Sequence, residues 1–533
     1  MTKQKQVKKE KTPSAFMRGL DSFFCFSKRG TNIKTEIFAG LLMFLEVACF
    51  TMVNAYLLSS NVGYPQYYGI YFATILISAI SSVLIGVLCN APFTQATSLG
   101  LILLMVSIYG QYSGLTYANI MAIGLVSNFV YFLAMVIPPV RKFIFTGIPQ
   151  SIRKALPAAM GVFVIVYVLL QMNVLTLTEM DYTGKLQSMA AAGDPITHFG
   201  ITYITLNMTI DPTNWYGYMP AIMAIVAFVL MMVLKRFKLK HATIISFGVT
   251  LVVYLILFAI RGNFLDYYLY AFITPAYGSM YFYQGPEFVT RMFSKQLFLQ
   301  AFTSGFDFSA YEAARSAAIE AGTAAGPSVT TLFVSTALAF LITGVSETGA
   351  AITAHSYVTG LQDENGSALY LENSTFKKAA PFVNAYSVNA LSSMIGCALG
   401  AGPVVVRAES AVGGSEGGKT GLSAIVAGLL FIPCLFNLIF NGVFINGMVV
   451  YGILLYVGFH LLTSLKNCEL SDVTGALPVL LMIVCAGFTM NLATAISVGI
   501  IADLVINLLL FKFKNMKPAT FLLSIILLLG LIL

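Results

Sequence analysis

Residues Gly402–Gly421 read GPVVVRAESAVGGSEGGKTG. The last part of that stretch, Gly413–Thr420, matches the phosphate-loop pattern G-x-x-x-x-G-K-[ST] at every fixed position. A working phosphate loop needs a strand before its glycines, an amphipathic helix after Lys-Thr and an acidic metal ligand at the end of another strand. Here Lys419-Thr420 opens GLSAIVAGLLFIPCLFNLIF, which carries no charge at all. A run of about 20 apolar residues is what crossing a ~30 Å hydrocarbon layer requires. The glycines therefore read as a tight turn between two membrane segments, with Lys419 marking the cytoplasmic side.

The rest of the chain agrees with a membrane solvent. Of its 533 residues 58% are hydrophobic and only 10% charged, with mean hydropathy +0.83. Soluble domains carry about 25% charged residues. The net charge of +8 does not point to nucleic acid, because its lysines and arginines sit in the N-terminal KQKQVKKEK and in short loops between apolar runs. Seven cysteines without a C-x-x-C give no disulfide or zinc framework. The basic first thirty residues lack the apolar core of a signal peptide and read as a cytoplasmic tail.

Apolar runs divide the chain into about fourteen segments, and loop charge sets their direction. RKFIFTGIPQSIRK (141–154), KRFKLKH (235–241), GGKTG and KFKNMK all fall on one side when the N-terminus is cytoplasmic. The expected fold is an all-α polytopic membrane protein with two seven-segment halves of opposite topology, the inverted repeat of many secondary transporters. The final run, within 512–533, reads as a tail or an extra helix. The loops 174–216 and 262–328 face outward, the first with a glycosylation sequon at Asn207.

A weak internal echo supports the repeat. NAPFTQATSLG (90–100) in segment three and GAGPVVVRAESAVG (400–413) in segment ten share a proline, a β-branched or aromatic stretch, Ala-x-Ser and a glycine. Interrupted segments at matching positions point to a midplane binding site, since irregular backbone at that depth must be satisfied by protein or by a water-filled cavity.

Ionisable groups inside a bilayer cost a few kcal/mol each and are functional candidates by default. Four stand out: Glu46 in segment one, Glu347 in segment eight, and Arg407 and Glu409 in segment ten. A midplane carboxylate can accept N–H donors from a heterocycle, or carry a proton through a transport cycle. Glu347, Glu409 and Glu46 are the expected proton-coupling groups. Thr348, Thr94, Gln95 and Ser98 add neutral hydrogen-bonding groups to Glu347, Glu409 and Arg407 in the expected substrate site. His355 is placed near the inner end of its helix and Asp503 at a helix contact or gate, outside that site. No enzyme motif, metal cluster or organic cofactor is expected.

These residues resemble the AzgA-like branch of the nucleobase–cation symporters, the hypoxanthine/guanine/adenine permeases. The likeness runs from TNIKTEIFAGLLMFLEVACFTMVNAYLLS (31–59) to ALPVLLMIVCAGFTMNLATAISVGI (476–500) and includes GIPQSIRKALPAAMGVFV (147–164). Its most specific block, ESAVGGSEGGKTGLSA (409–424), turns the phosphate-loop pattern into family turn chemistry. The resemblance implies a core domain of 34–138 with 329–440 and a gate domain of 139–261 with 441–511. It also implies that segments three and ten are each a short strand plus a half-helix, with a purine between them and segment eight, touching Glu347 and Glu409. The chain departs from the family where Ile102, Arg407 and Glu46 replace its Asn, Tyr and Thr, and where SETGAAI replaces Asp-Thr-x-Gly-Thr.

Two transport readings follow. In the first, a proton symporter of the cell membrane imports a nucleobase-like molecule, and Arg407 pairs with Glu46. In the second, the ligand is anionic or nucleoside-like and Arg407 faces it as counter-charge. A channel or a membrane-embedded enzyme ranks behind both. The expected partners are the small-molecule substrate and the lipid bilayer, with a homodimer as an option and no role for nucleic acid.

Overall fold

The computed structural model describes residues 15–62, 67–172, 174–181, 200–206, 219–237, 239, 242–260, 299–321, 326–362, 383–435, 447–468, 470, 472–489, 491–512 and 517–532. The sequon at Asn207 and the basic N-terminal tail before residue 15 lie outside the described residues.

The first half contains α1 (Ala15–Phe24), α2 (Phe26–Arg29), α3 (Ile33–Val62), α4 (Tyr67–Cys89), β1 (Gln95–Thr97), α5 (Leu99–Gln111), α6 (Tyr117–Val136), α7 (Pro138–Gly147) and α8 (Gln150–Gln171). There follow β2 (Leu175–Asp181), β3 (Gly200–Leu206), α9 (Met219–Arg236), α10 (Ala242–Ile260), α11 (Gln300–Thr303) and α12 (Ser309–Glu320). The second half contains α13 (Val329–Thr359), α14 (Ala385–Leu399), β4 (Val404–Val406), α15 (Ser410–Ser415) and α16 (Gly421–Phe431). It closes with α17 (Gly447–Leu462), α18 (Val473–Thr489), α19 (Leu492–Leu509) and α20 (Pro518–Ile532).

The protein is thus mostly helical. Five of its described helices are long and apolar enough to cross a bilayer, and further apolar helices of 10–17 residues pack among them. One large core gathers side chains of α8, α13, α14 and α17 to α19. A second gathers those of α3 to α6 and α16. Two features differ from the sequence expectation. The segment between α8 and α9 contains an antiparallel pair, β2 with β3, in register from Leu175↔Leu206 to Asp181↔Gly200. Its alternating LTLTEMD and GITYITL favour strands but are too short and polar to register as membrane segments. The stretch before α13 contains the polar helix α12, pinned where the Tyr311 hydroxyl donates to the Pro327 carbonyl at 2.7 Å. The C-terminal run is helical, and at 15 residues α20 extends only about 22 Å, short of the ~30 Å core.

Segments three and ten are where the helical rule breaks. Pro92 and Pro403 each withhold a backbone N–H, and Gly402 before Pro403 takes φ +84°, which also breaks the helix. The chain then runs straight through β1 and β4, which pair antiparallel with Gln95↔Val406, Ala96↔Val405 and Thr97↔Val404. A ribbon of two strands leaves its outer edges unpaired, and in a membrane each unpaired group costs several kcal/mol. The preceding helix of each half satisfies them. Ser82 on α4 accepts from Gln95 N at 2.9 Å and donates to its carbonyl at 3.3 Å. Ser393 on α14 accepts from Val404 N at 3.2 Å and donates to the Val404 carbonyl at 2.5 Å. Asn389 ties the two halves, donating to the Val404 carbonyl and to Gln95 Oε1, both at 3.0 Å.

The loop after α15 shows what the phosphate-loop pattern builds. Gly417 takes φ +97°, which an L side chain rarely adopts. The backbone N–H groups of Lys419 and Thr420 then converge on the fully buried Glu36 carboxylate of α3, at 2.8 and 3.2 Å. The amide nest is already occupied, and by the chain's own side chain. Arg29 donates to the Lys419 and Asn90 carbonyls at 2.6 Å, and Asn90 Oδ1 accepts from Gly421 N at 2.8 Å. Glu416 pairs with Lys235 at the end of α9 at 2.6 Å.

Ser82→Ala and Ser393→Ala should each lower stability by about 1–3 kcal/mol, because each strands buried ribbon groups. Thermal unfolding in detergent checks this, and an exposed-site control such as Ser309→Ala should move the midpoint far less.

Candidate functional site

The ribbon positions one wall of a small cavity of about 30 Å³. Ser98 ends β1 and caps α5, accepting from Leu101 N at 3.3 Å. Arg407 follows β4 directly, its backbone N–H bonded to the Thr94 carbonyl at 3.0 Å. Glu347 projects from the middle of α13 and Glu409 from the start of α15. Ser98, Glu347, Arg407 and Glu409 all line the cavity. The opposite wall is apolar and aromatic, with Phe163 and Tyr167 of α8 facing the charged side and Leu454 and Leu492 beside them.

Arg407 and Glu409 form a forked ion pair. Nε donates to Glu409 Oε2 at 3.0 Å and Nη2 to Oε1 at 2.7 Å, while Nη1 donates to the Thr97 carbonyl at 3.1 Å. The two side chains are only 8% and 7% exposed. The guanidinium thus neutralises its neighbour and bonds to the end of β1, which fixes it in place. Sequence led to Glu46 as the partner of Arg407. The structure instead gives the forked pair to Glu409, because a two-residue spacing in a bend brings side chains together that a helix would hold apart. Glu46 is buried on α3, close enough to feel the charge of Glu409, but it does not line the cavity.

Glu347 is differently placed. One carboxylate oxygen accepts from the Ser98 hydroxyl, while Oε1 is buried and has no hydrogen-bond partner among the described residues. It lies against Gly100 in the first turn of α5, where any Cβ would collide with it. The positive end of that helix faces the carboxylate. Glu347 also feels the charges of Arg407 and Glu409, so the four ionisable groups form one electrostatic cluster.

Three residues expected in the substrate site are hydrogen-bonded to neighbouring elements. The Thr94 hydroxyl meets Ser410 Oγ at 2.7 Å, Gln95 bridges to Asn389 and to the Ser81 carbonyl, and Thr348 donates to Asn389 Oδ1 at 3.0 Å. None of the three lines the cavity. Sequence reasoning missed Asn389, which reads as an uncharged polar residue in an apolar run and could have been found by the rule that flagged Glu347. Phe163 and Tyr167 carried no signal, since aromatic residues inside an apolar helix look like core. His355 is buried beside the site, its Nδ1 2.9 Å from the Ser410 carbonyl.

Comparison with known proteins bears out the resemblance read from the sequence. The chain is 22% identical over 516 residues to adenine permease AdeP of Escherichia coli (strain K12), covering 96% of each. It is 23% identical over 500 residues to guanine/hypoxanthine permease GhxP of Escherichia coli O157:H7, covering 93% of each. No family profile matches the chain. Among solved structures, it resembles the transmembrane domain of a cyanobacterium bicarbonate transporter, BicA, at 11% identity and TM-score 0.45, covering 89% of this chain and 97% of that one. The protein is a multi-pass membrane protein whose curated relatives are named permeases.

Removing one member of a buried pair costs about 3–5 kcal/mol, while replacing both is far milder. Arg407→Met should therefore destabilise by that amount, and Arg407→Met with Glu409→Gln should recover most of the loss. Melting midpoints of the two single variants and the double variant, read as a thermodynamic cycle, check it.

Proposed function

We propose that the protein imports a purine nucleobase or related heterocycle by proton symport with alternating access, in the cell membrane and with its N-terminus cytoplasmic. The observation that carries this reading is Glu347 Oε1, a buried acceptor without a partner among the described residues, on a cavity whose far wall offers Phe163 and Tyr167. A nucleobase has in-plane N–H donors for the carboxylate and flat faces for aromatic rings. The names of the curated relatives, adenine and guanine/hypoxanthine permeases, support the same ligand class.

The ionisable cluster supports proton coupling. Three carboxyls, Glu46, Glu347 and Glu409, share a single guanidinium, so full ionisation leaves the buried cluster with excess negative charge. Coulomb repulsion at low effective dielectric is costly, and a proton taken from the outside relieves it. In this reading Glu347 holds both ligand and proton, Glu409 keeps Arg407 neutralised, and Glu46 is a second proton-holding group. Alternating access fits a fourteen-segment inverted repeat in which 34–138 with 329–440 form the core. There 139–261 with 441–511 form the gate, and Phe163 and Tyr167 on the gate move against the ribbon. The anionic-ligand reading is weaker, because the forked bonds from Glu409 already claim the guanidinium that would serve as counter-charge.

Proteoliposomes loaded with alkaline buffer should accumulate labelled adenine, guanine or hypoxanthine, and a protonophore should abolish the accumulation. Glu347→Gln removes the group that takes the proton and replaces one acceptor oxygen with an amide, so uptake should fall about ten- to hundred-fold. Gradient-independent uptake would sink the coupling. Uptake of an organic anion but of no purine, lost in Arg407→Met, would favour the anionic reading.

A further inference from the structure

On the face of α13 away from Glu347 lies a larger cavity of about 200 Å³. Ile342, Ser346 and Gly349, three or four residues apart on α13, form one wall. Ile144 of α7, Arg153 of α8 and Leu527 of α20 close it. The nucleobase reading makes no use of this space.

What surrounds it is settled by α20. This helix turns Leu527 inward, while Phe521, Leu522, Ile525, Leu528 and Leu529 are exposed on its other faces. A short helix with an apolar outer surface in a membrane-spanning chain sits in lipid, so the cavity beneath it is surrounded by lipid on that side. Its lining is mainly aliphatic, with Arg153, Ser346, Thr353 and Tyr386 as the polar members. The aliphatic part is suited to hydrocarbon.

Charge specifies the rest. Arg153 lines the cavity, and its Nη2 bonds to the Ile148 carbonyl at 3.0 Å, which holds the guanidinium at the start of α8. Arg141 stands three residues before Ile144 on α7, so the two share a face. The run 141–154 contains Arg141, Lys142, Arg153 and Lys154 and no acidic residue. Basic pockets between membrane helices recognise anionic lipid headgroups.

We propose that this cavity is a lipid site: an acyl chain of an anionic phospholipid lies between α13 and α20, with its phosphate against Arg153 and Arg141. The site sits where α20 meets the bundle, so an occupied cavity ties that helix to α8 and α13. The proposal rests on the membrane location alone and stands or falls separately from the transported substrate.

The test uses the full chain, purified and delipidated in detergent and titrated with phosphatidylglycerol, phosphatidylcholine or inorganic phosphate. Bound lipid is read by native mass spectrometry and the melting midpoint is followed in parallel. Phosphatidylglycerol should bind tighter than phosphatidylcholine, and Arg153→Gln should cut that preference about five-fold, the effect of one basic side chain at a lipid surface. Ser346→Phe, which fills the cavity, should lower the binding of both lipids. A phosphatidylglycerol with a diazirine on its acyl chain, bound to the unaltered protein, should crosslink to peptides of α13 and α20, so the proposal is tested even if the filled variant does not fold. Equal affinity for the two lipids, the same stabilisation by inorganic phosphate alone, or crosslinks confined to other surfaces would each overturn it.

Discussion

Everything around the candidate site depends on a three-pair antiparallel ribbon, β1 with β4, held where the surrounding solvent is hydrocarbon. Two strands from distant parts of the chain meet there because each half supplies a proline-broken segment. Neither could stand alone, since each would expose a row of amide groups that lipid cannot satisfy. Pairing meets the inner edge of each strand. Ser82 and Ser393, one on the helix before each strand, meet the outer edges. The same solution appears twice with different residues, and it forces the ends of the two strands to share one place. Ser98 and Arg407 are delivered to a common cavity for that reason.

Charge follows from geometry. A guanidinium two residues before a carboxylate would point elsewhere on a helix, but β4 ends at Val406 and the chain bends before α15 begins. The bend turns Arg407 and Glu409 into a forked pair and leaves Glu347, on another helix, as the carboxylate with acceptor capacity facing the cavity. Gly100 completes the arrangement by being the residue that permits Glu347 to lie against the first turn of α5. A neutralised pair beside an acceptor suits a neutral, hydrogen-bonding ligand better than an anion.

The membrane class, the positions of most apolar helices and three of the four intramembrane ionisable groups as neighbours at one cavity were legible in the sequence. Hydrocarbon solvent imposes so strong a rule on composition that exceptions such as Glu347, Arg407 and Glu409 identify themselves. The pairing partner of Arg407 was not legible, because it depends on a bend that spacing alone does not reveal. Nor were the hydrogen bonds that Thr94, Gln95 and Thr348 make to neighbouring elements. A hydroxyl near a site looks the same in sequence whether it faces the ligand or a neighbouring strand. Phe163 and Tyr167 stayed hidden for the opposite reason, as ordinary apolar residues in an ordinary apolar run. The β2–β3 pair lay in a loop where the membrane rule has no force.

The Glu36 contact with the Lys419 and Thr420 amides bears on where the protein can draw its energy. A nucleotide-driven machine works because its phosphate cradle alternates between full and empty, and each exchange can be geared to motion. Here the cradle is filled by a carboxyl group covalently attached to the same polypeptide, which cannot be hydrolysed, released or replaced. The turn is therefore a permanent fastening between α3 and the loop that follows α15. A loop closed by its own side chain offers no such exchange.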